Sequence, residues 1–115
     1  MRTPTPPEKA FAWWRDAIAG NAPPVHDDAP QCGFFKRRAD KNSRRFIPAR
    51  IDLLQPIEDG ALVADESLVC IVGDQYRDPY AEWLWLAKHP ISRREYEKLL
   101  TPEAPVSVVE ISTDW

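Results

Sequence analysis

The sequence predicts an α+β fold. A small antiparallel sheet, with an SH3-like curl as one form it could take, packs against two C-terminal helices, and a further helix is appended at the N-terminus. Three observations carry this expectation. Across residues 45–54, Ile47, Ala49, Ile51 and Leu53 fall on one face, joined by Arg45, while Phe46, Pro48, Arg50 and Asp52 fall on the other. That period of two marks a strand with one face on a core. Residues 67–72, SLVCIV, are apolar on both faces and read as a central strand covered by a helix on at least one side. Beyond residue 78 the pattern turns helical, with start signals at Asp78-Pro79 and at Ser92-Arg93-Arg94-Glu95.

Taken in order, residues 3–7 are a proline-rich lead. Thr5 is positioned to cap a helix starting at Pro6 or Pro7, with Glu8 at the capping-box position and Gly20 as the stop after about Ala19. Phe11, Trp14 and Ile18 form its apolar stripe, with Trp13 to the side. Its partner is left open among the body, another subunit and a protein target. Residues 21–30, NAPPVHDDAP, hold three prolines and are expected to be an extended linker that leaves this helix free to move. The division is therefore an N-terminal helix and linker over 1–30 and an α+β body over 31–115.

In the body, 33–38 is the first strand, with Phe34 and Phe35 pointing to opposite faces. The polar run 39–43 is the hairpin loop. Pro48 cannot donate to a ladder, so the second strand is expected to have an edge or a bulge there. The acidic 55–66 connection has room for a short strand at 62–64, and Gly73-Asp74 turns the chain into a short strand at 75–77. In the helix after Pro79, Tyr80, Leu84 and Ala87 share one face, widened by Trp83 and Leu86. Tyr96, Leu99 and Leu100 face inward from the last helix, and 106–111 reads as a final strand or a tail that orders on contact.

A length of 115 residues allows one modest core, and 43% hydrophobic residues argue against wholesale disorder. No apolar run approaches the roughly 20 residues of a membrane span. The first residues lack the apolar core of a signal peptide, so a cytoplasmic protein is expected, with Cys32 and Cys70 reduced.

Charge is distributed unevenly. Within 36–50, seven basic residues oppose only Asp40, giving +6, so the remaining residues carry −9 of the net −3. The candidate binding surface is this basic hairpin: Lys36, Arg37, Arg38, Lys41, Arg44 and Arg45, with Phe35 and Phe46 beside them. Such a set suits a phosphate backbone with stacked bases. The reading favoured by the acidic balance of the whole chain and the absence of a standard nucleic-acid motif is a solvated hairpin that pairs with the acidic body or with an acidic protein.

Other clusters promise less. His26-Asp27-Asp28 with Cys32 has metal-binding residue types but sits in the linker, without a rigid surround. Cys70 lies mid-strand among apolar residues, where a structural thiol is expected rather than a nucleophile. No phosphate-binding glycine loop and no nucleophile-elbow motif occurs, so no cofactor, metal or enzymatic activity is expected. The five tryptophans suit core packing or, for two or three of them, an interface.

The order GFFKRR, FIPARI, a further strand, then DPYAEWLWLAKHPISRREY resembles small uncharacterised proteins of phages and prophages. The resemblance covers about 32–100 and implies a phage-derived accessory protein, with no activity to carry over. The expected function is non-enzymatic binding through protein contacts. The alternative is a nucleic-acid-binding module using the hairpin.

Overall fold

The structure, a computed structural model, describes residues 3–100. The expected strand at 106–111 and Trp115 lie outside the described residues. Helices α1 (Pro7–Ala10) and α2 (Ala12–Ile18) lead into strands β1 (Gly33–Arg38) and β2 (Phe46–Leu54), then a small hairpin of β3 (Ile57–Glu58) and β4 (Ala61–Leu62). Strands β5 (Ser67–Val72) and β6 (Gln75–Arg77) and helices α3 (Pro79–Leu86) and α4 (Arg93–Leu100) follow. The main sheet is an antiparallel meander in the order β1-β2-β5-β6.

Both faces of this sheet are covered, and strand alternation decides which side chain goes where. On one face Phe35, Ala49, Ile51, Cys70 and Val72 pack against Trp83 and Leu86 of α3, with Trp13 of α2 alongside. On the other, Phe34 packs with Ile91, with Tyr96 of α4, and with Phe11 and Trp14. Phe34 and Phe35 therefore anchor the two cores separately, as their opposite facing predicts. Burying a large apolar side chain such as Trp83 or Phe35, both 0% exposed, stabilises the fold by roughly 1.5–3 kcal/mol each.

Several local signals act as the sequence implies. Pro48 lies just outside the β2–β5 ladder, which begins at Ala49 opposite Val72, so its missing N–H breaks no bond in that ladder. The Pro48 carbonyl still accepts from Gly73 N–H at 2.7 Å. Asp78 caps α3 by accepting from Tyr80 N–H at 3.0 Å, and Ser92 Oγ accepts from Glu95 N–H at 3.1 Å at the start of α4.

Other expectations are corrected. The N-terminal helix is two pieces broken at Phe11, whose φ and ψ of −101° and 16° leave helical geometry. Thr5 does not cap it. Its N–H donates to Gln55 Oε1 at 2.6 Å and its hydroxyl to Glu66 Oε2 at 2.9 Å, so the lead is tied to the β2–β5 connection. The short strand expected at 62–64 is instead the β3–β4 hairpin. Asp59 and Gly60 at φ 51° and 79° form its two-residue turn, a pairing for which Asp-Gly is well suited.

The N-terminal helices are docked, not free. Trp13 and Trp14 straddle the sheet. Trp13 meets Trp83 edge-on at 5.0 Å, and Trp14 meets Phe34 edge-on at 5.2 Å. Trp14 Nε1 donates to Ile91 O at 2.8 Å. The approach is so close that a Cβ on Gly33 would sit 2.8 Å from the Trp14 side chain. The linker is engaged as well: Trp13 Nε1 donates to Pro24 O, and Trp83 Nε1 to His26 O, each at 2.8 Å. Ile18, expected in the apolar stripe, is 44% exposed. Among the described residues no helix is long and apolar enough to cross a membrane.

Candidate functional site

The β1–β2 hairpin pairs Lys36 with Pro48, Arg37 with Ile47 and Arg38 with Phe46, so the basic residues of β1 alternate between the two faces. Its loop holds its own shape. Ala39 N–H donates to Arg45 O, Asn42 N–H to Asp40 Oδ1, Ser43 N–H to Asp40 O, and Arg45 N–H to Ser43 Oγ, at 2.8–3.2 Å. With the loop backbone bonded inward, Lys41, Arg44 and Arg45 project outward and are exposed.

The expected binding residues divide into three groups. Phe35 is fully buried under α3 and offers no face to a ligand, which corrects its assignment as a stacking residue. Arg37, on the same face, is also withdrawn. It is 6% exposed, its Nε lies 3.2 Å from Glu82 Oε1 on α3, and its guanidinium carbon lies 4.2 Å from the centre of the Trp85 ring. Lys36 and Phe46, turned to the α4 face, engage each other. Lys36 Nζ lies 4.9 Å from the centre of the Phe46 ring and 2.9 Å from Glu95 Oε2, and the His89 ring meets Phe46 edge-on at 5.3 Å. Partial burial, then the nearby Lys36, Arg38 and Lys88 charges, hold the His89 imidazole below its ordinary range. Only Arg38, Lys41, Arg44 and Arg45 remain as exposed cations with no acidic partner among the described residues. The exposed cations of the hairpin therefore gather towards its tip.

The outer face of α3 is a surface that its residue spacing does not announce. The sequence pattern assigns Tyr80 and Leu84 to the inward stripe, yet they are 59% and 52% exposed, and Trp85 is 41% exposed. The buried face runs through Glu82, Trp83 and Leu86 instead. The misassignment has a physical cause: the helix is apolar nearly all round, so spacing gives no unique inward stripe. The side that turns in is set by Trp83 meeting Phe35 and Trp13, and by Glu82 reaching Arg37. Because Arg37 of β1 lies on Trp85 of α3, this apolar face abuts the basic hairpin.

The remaining candidates take structural places. Cys32 and Cys70 are free and buried. Burial, reinforced by the Asp52 charge, pushes the Cys32 thiol up to about 11; burial, then the Glu82 and Asp78 charges, pushes Cys70 up to about 12. Neither is a ready thiolate. His26 contributes its carbonyl to Trp83, and among the described residues no three His, Cys, Asp or Glu side chains converge as a metal set.

On the α4 face, Arg50, Arg93 and Arg15 meet around Phe34, a grouping that no local motif announces because its members come from β2, α4 and α2. No family model matches the chain, and no curated protein or solved structure matches it either.

Proposed function

We propose that this chain is a non-enzymatic binding protein that acts through protein contacts, using the outer face of α3 with the basic hairpin beside it. The observation that carries the reading is the exposure of Tyr80, Leu84 and Trp85 on a helix whose opposite side is fully used in the core. An exposed apolar and aromatic surface, with Arg37 of the basic hairpin packed on Trp85 at its edge, has the make-up of a protein interface, and it suits a partner with an apolar patch. The resemblance over 32–100 supports a phage- or prophage-derived accessory role, and the two buried free thiols suit a reducing cytoplasm.

Affinity capture from induced or infected cells, with and without nuclease, tests this. A partner retained after nuclease treatment, and lost with Tyr80→Glu/Leu84→Glu, is the expected result. Retained material that disappears with nuclease, or that ignores the α3 substitutions, would overturn it.

The four exposed cations at the hairpin tip favour nucleic acid as the second reading. Burial of Phe35 and the cover over Phe46 weigh against it, because they remove the stacking partners that single-strand binding uses. The −9 carried by the rest of the chain also repels an extended polyanion. Fluorescence anisotropy with labelled oligonucleotides separates the two readings. Salt-sensitive micromolar binding, abolished by serine at Arg38, Lys41, Arg44 and Arg45, would promote nucleic acid to the first place.

A further inference from the structure

We propose that the cleft between the N-terminal helices and the α4 face of the sheet binds a small organic anion, an aromatic ring carrying a phosphate or a carboxylate. The cleft encloses about 370 Å³, the small end of the range of ligand pockets, enough for one ring system and its oxyanion. Its wall is aromatic. Phe34 is stacked with Phe11 at 6.1 Å and meets Trp14 edge-on at 5.2 Å.

Its charge is cationic. Arg15, Arg50 and Arg93 line the cleft against one acidic lining residue, Asp52. Phe34 itself is buried, so the half-buried Phe11 and Trp14 supply the accessible aromatic surface, and the guanidinium carbons of Arg50 and Arg93, 5.4 and 6.0 Å from the centre of the Phe34 ring, stand beside it where a bound ring would carry its oxyanion.

The three arginines are unequally committed, and that leaves donors available. Asp52 orients Arg50: Nη2 donates to Oδ1 at 2.9 Å, and Nε lies 2.7 Å from Oδ2. A guanidinium carries five N–H donors, and Asp52 with the Tyr96 hydroxyl engages only part of them, so Arg50 keeps a remaining donor for a second acceptor. Arg15 has no acidic partner among the described residues. Arg93 is 3.4 Å from Glu97, but both side chains are mostly in water, where such a pair contributes little. A phosphate or carboxylate entering the cleft shares Arg50 with Asp52 but meets only solvent at Arg15 and the exposed Glu97 at Arg93, where it gains charge-assisted, bidentate contacts. This site lies on the face of the sheet opposite α3 and does not depend on the protein-contact reading.

The test titrates phenyl phosphate, benzoate and inorganic phosphate against the full chain, followed by tryptophan fluorescence and amide NMR. The expected result is saturable binding of phenyl phosphate or benzoate with a dissociation constant of about 0.1–1 mM, as suits a ligand of this size. Whichever aromatic probe binds more tightly identifies the oxyanion. Arg15→Ser/Arg93→Ser, at two exposed positions, should weaken that binding at least tenfold with an unchanged circular dichroism spectrum. Lys41→Ser/Arg44→Ser on the distant hairpin tip should leave it unaltered. The proposal is overturned if neither aromatic probe saturates by about 10 mM. It is equally overturned if the arginine variant binds as well as the wild type, or if inorganic phosphate binds as tightly as phenyl phosphate.

Discussion

Removing Arg37 alone should destabilise the protein far more than removing Arg37 and Glu82 together. The two residues are 6% and 8% exposed, so both charges are largely out of water. Their approach is close but out of line. Arg37 Nε lies 3.2 Å from Glu82 Oε1, yet neither atom has a hydrogen-bond partner. What else holds Arg37 is a 3.2 Å bond from Nη1 to Arg38 O and the Trp85 ring beneath it. A buried pair of poor geometry returns little of its desolvation cost, but stripping one partner leaves an uncompensated buried charge that costs about 3–5 kcal/mol. The slight exposure of both side chains lowers this, and we expect about 2–4 kcal/mol for Arg37→Met or Glu82→Leu. The double variant should fall within about 1 kcal/mol of the wild type, a coupling of several kcal/mol. Urea unfolding, followed by tryptophan fluorescence and circular dichroism, measures it. With a slope near 1.5 kcal/mol/M, each single variant should shift the midpoint by roughly 1.5–2.5 M. Single variants costing under about 0.5 kcal/mol with an additive double would refute the reasoning and return Arg37 to the solvated basic surface.

Three further outcomes follow from the packing. Ile51→Ala, at a 0% exposed site, should cost about 3 kcal/mol and Ile71→Ala, half-buried, about half as much; equal midpoint shifts in denaturation would contradict the burial difference. Deleting residues 1–24 removes Phe11, Trp13 and Trp14 from both cores and should lower the melting temperature by at least about 10 °C, so a melting curve that overlays the full chain would show the docked helices to be dispensable. Cys32 and Cys70 should resist alkylation at pH 8 while folded and react readily in urea. Since their folded pKa values lie above the ordinary 9.0, the stability they contribute is present below pH 9 and lost as pH rises toward about 11 and 12, which alkaline denaturation of Cys70→Ala against the wild type would measure.

The amino-acid sequence alone specified the α+β class, strands β1, β2, β5 and β6, and the opposite facing of Phe34 and Phe35. It also determined the caps at Asp78 and Ser92. Each of these is a local matter of period, turn chemistry or capping within a few residues. The β3–β4 turn has its own local signal in Asp59-Gly60, but the acidic run around it reads as loop. Tertiary structure alone decided the rest. Helix α3 is apolar on several sides, so its inward face was chosen by Trp83 and Glu82 finding Phe35, Trp13 and Arg37. The basic hairpin looked uniform in sequence, yet packing took Arg37 into a buried pair and Lys36 onto Glu95 and left Arg38, Lys41, Arg44 and Arg45 exposed. The proline linker suggested a free N-terminal helix, but Trp14 reaches Ile91 across 77 residues of chain. Local pattern fixes the type and alternation of an element. Which of two comparable faces is buried depends on partners distant in sequence, and only the folded packing brings them together.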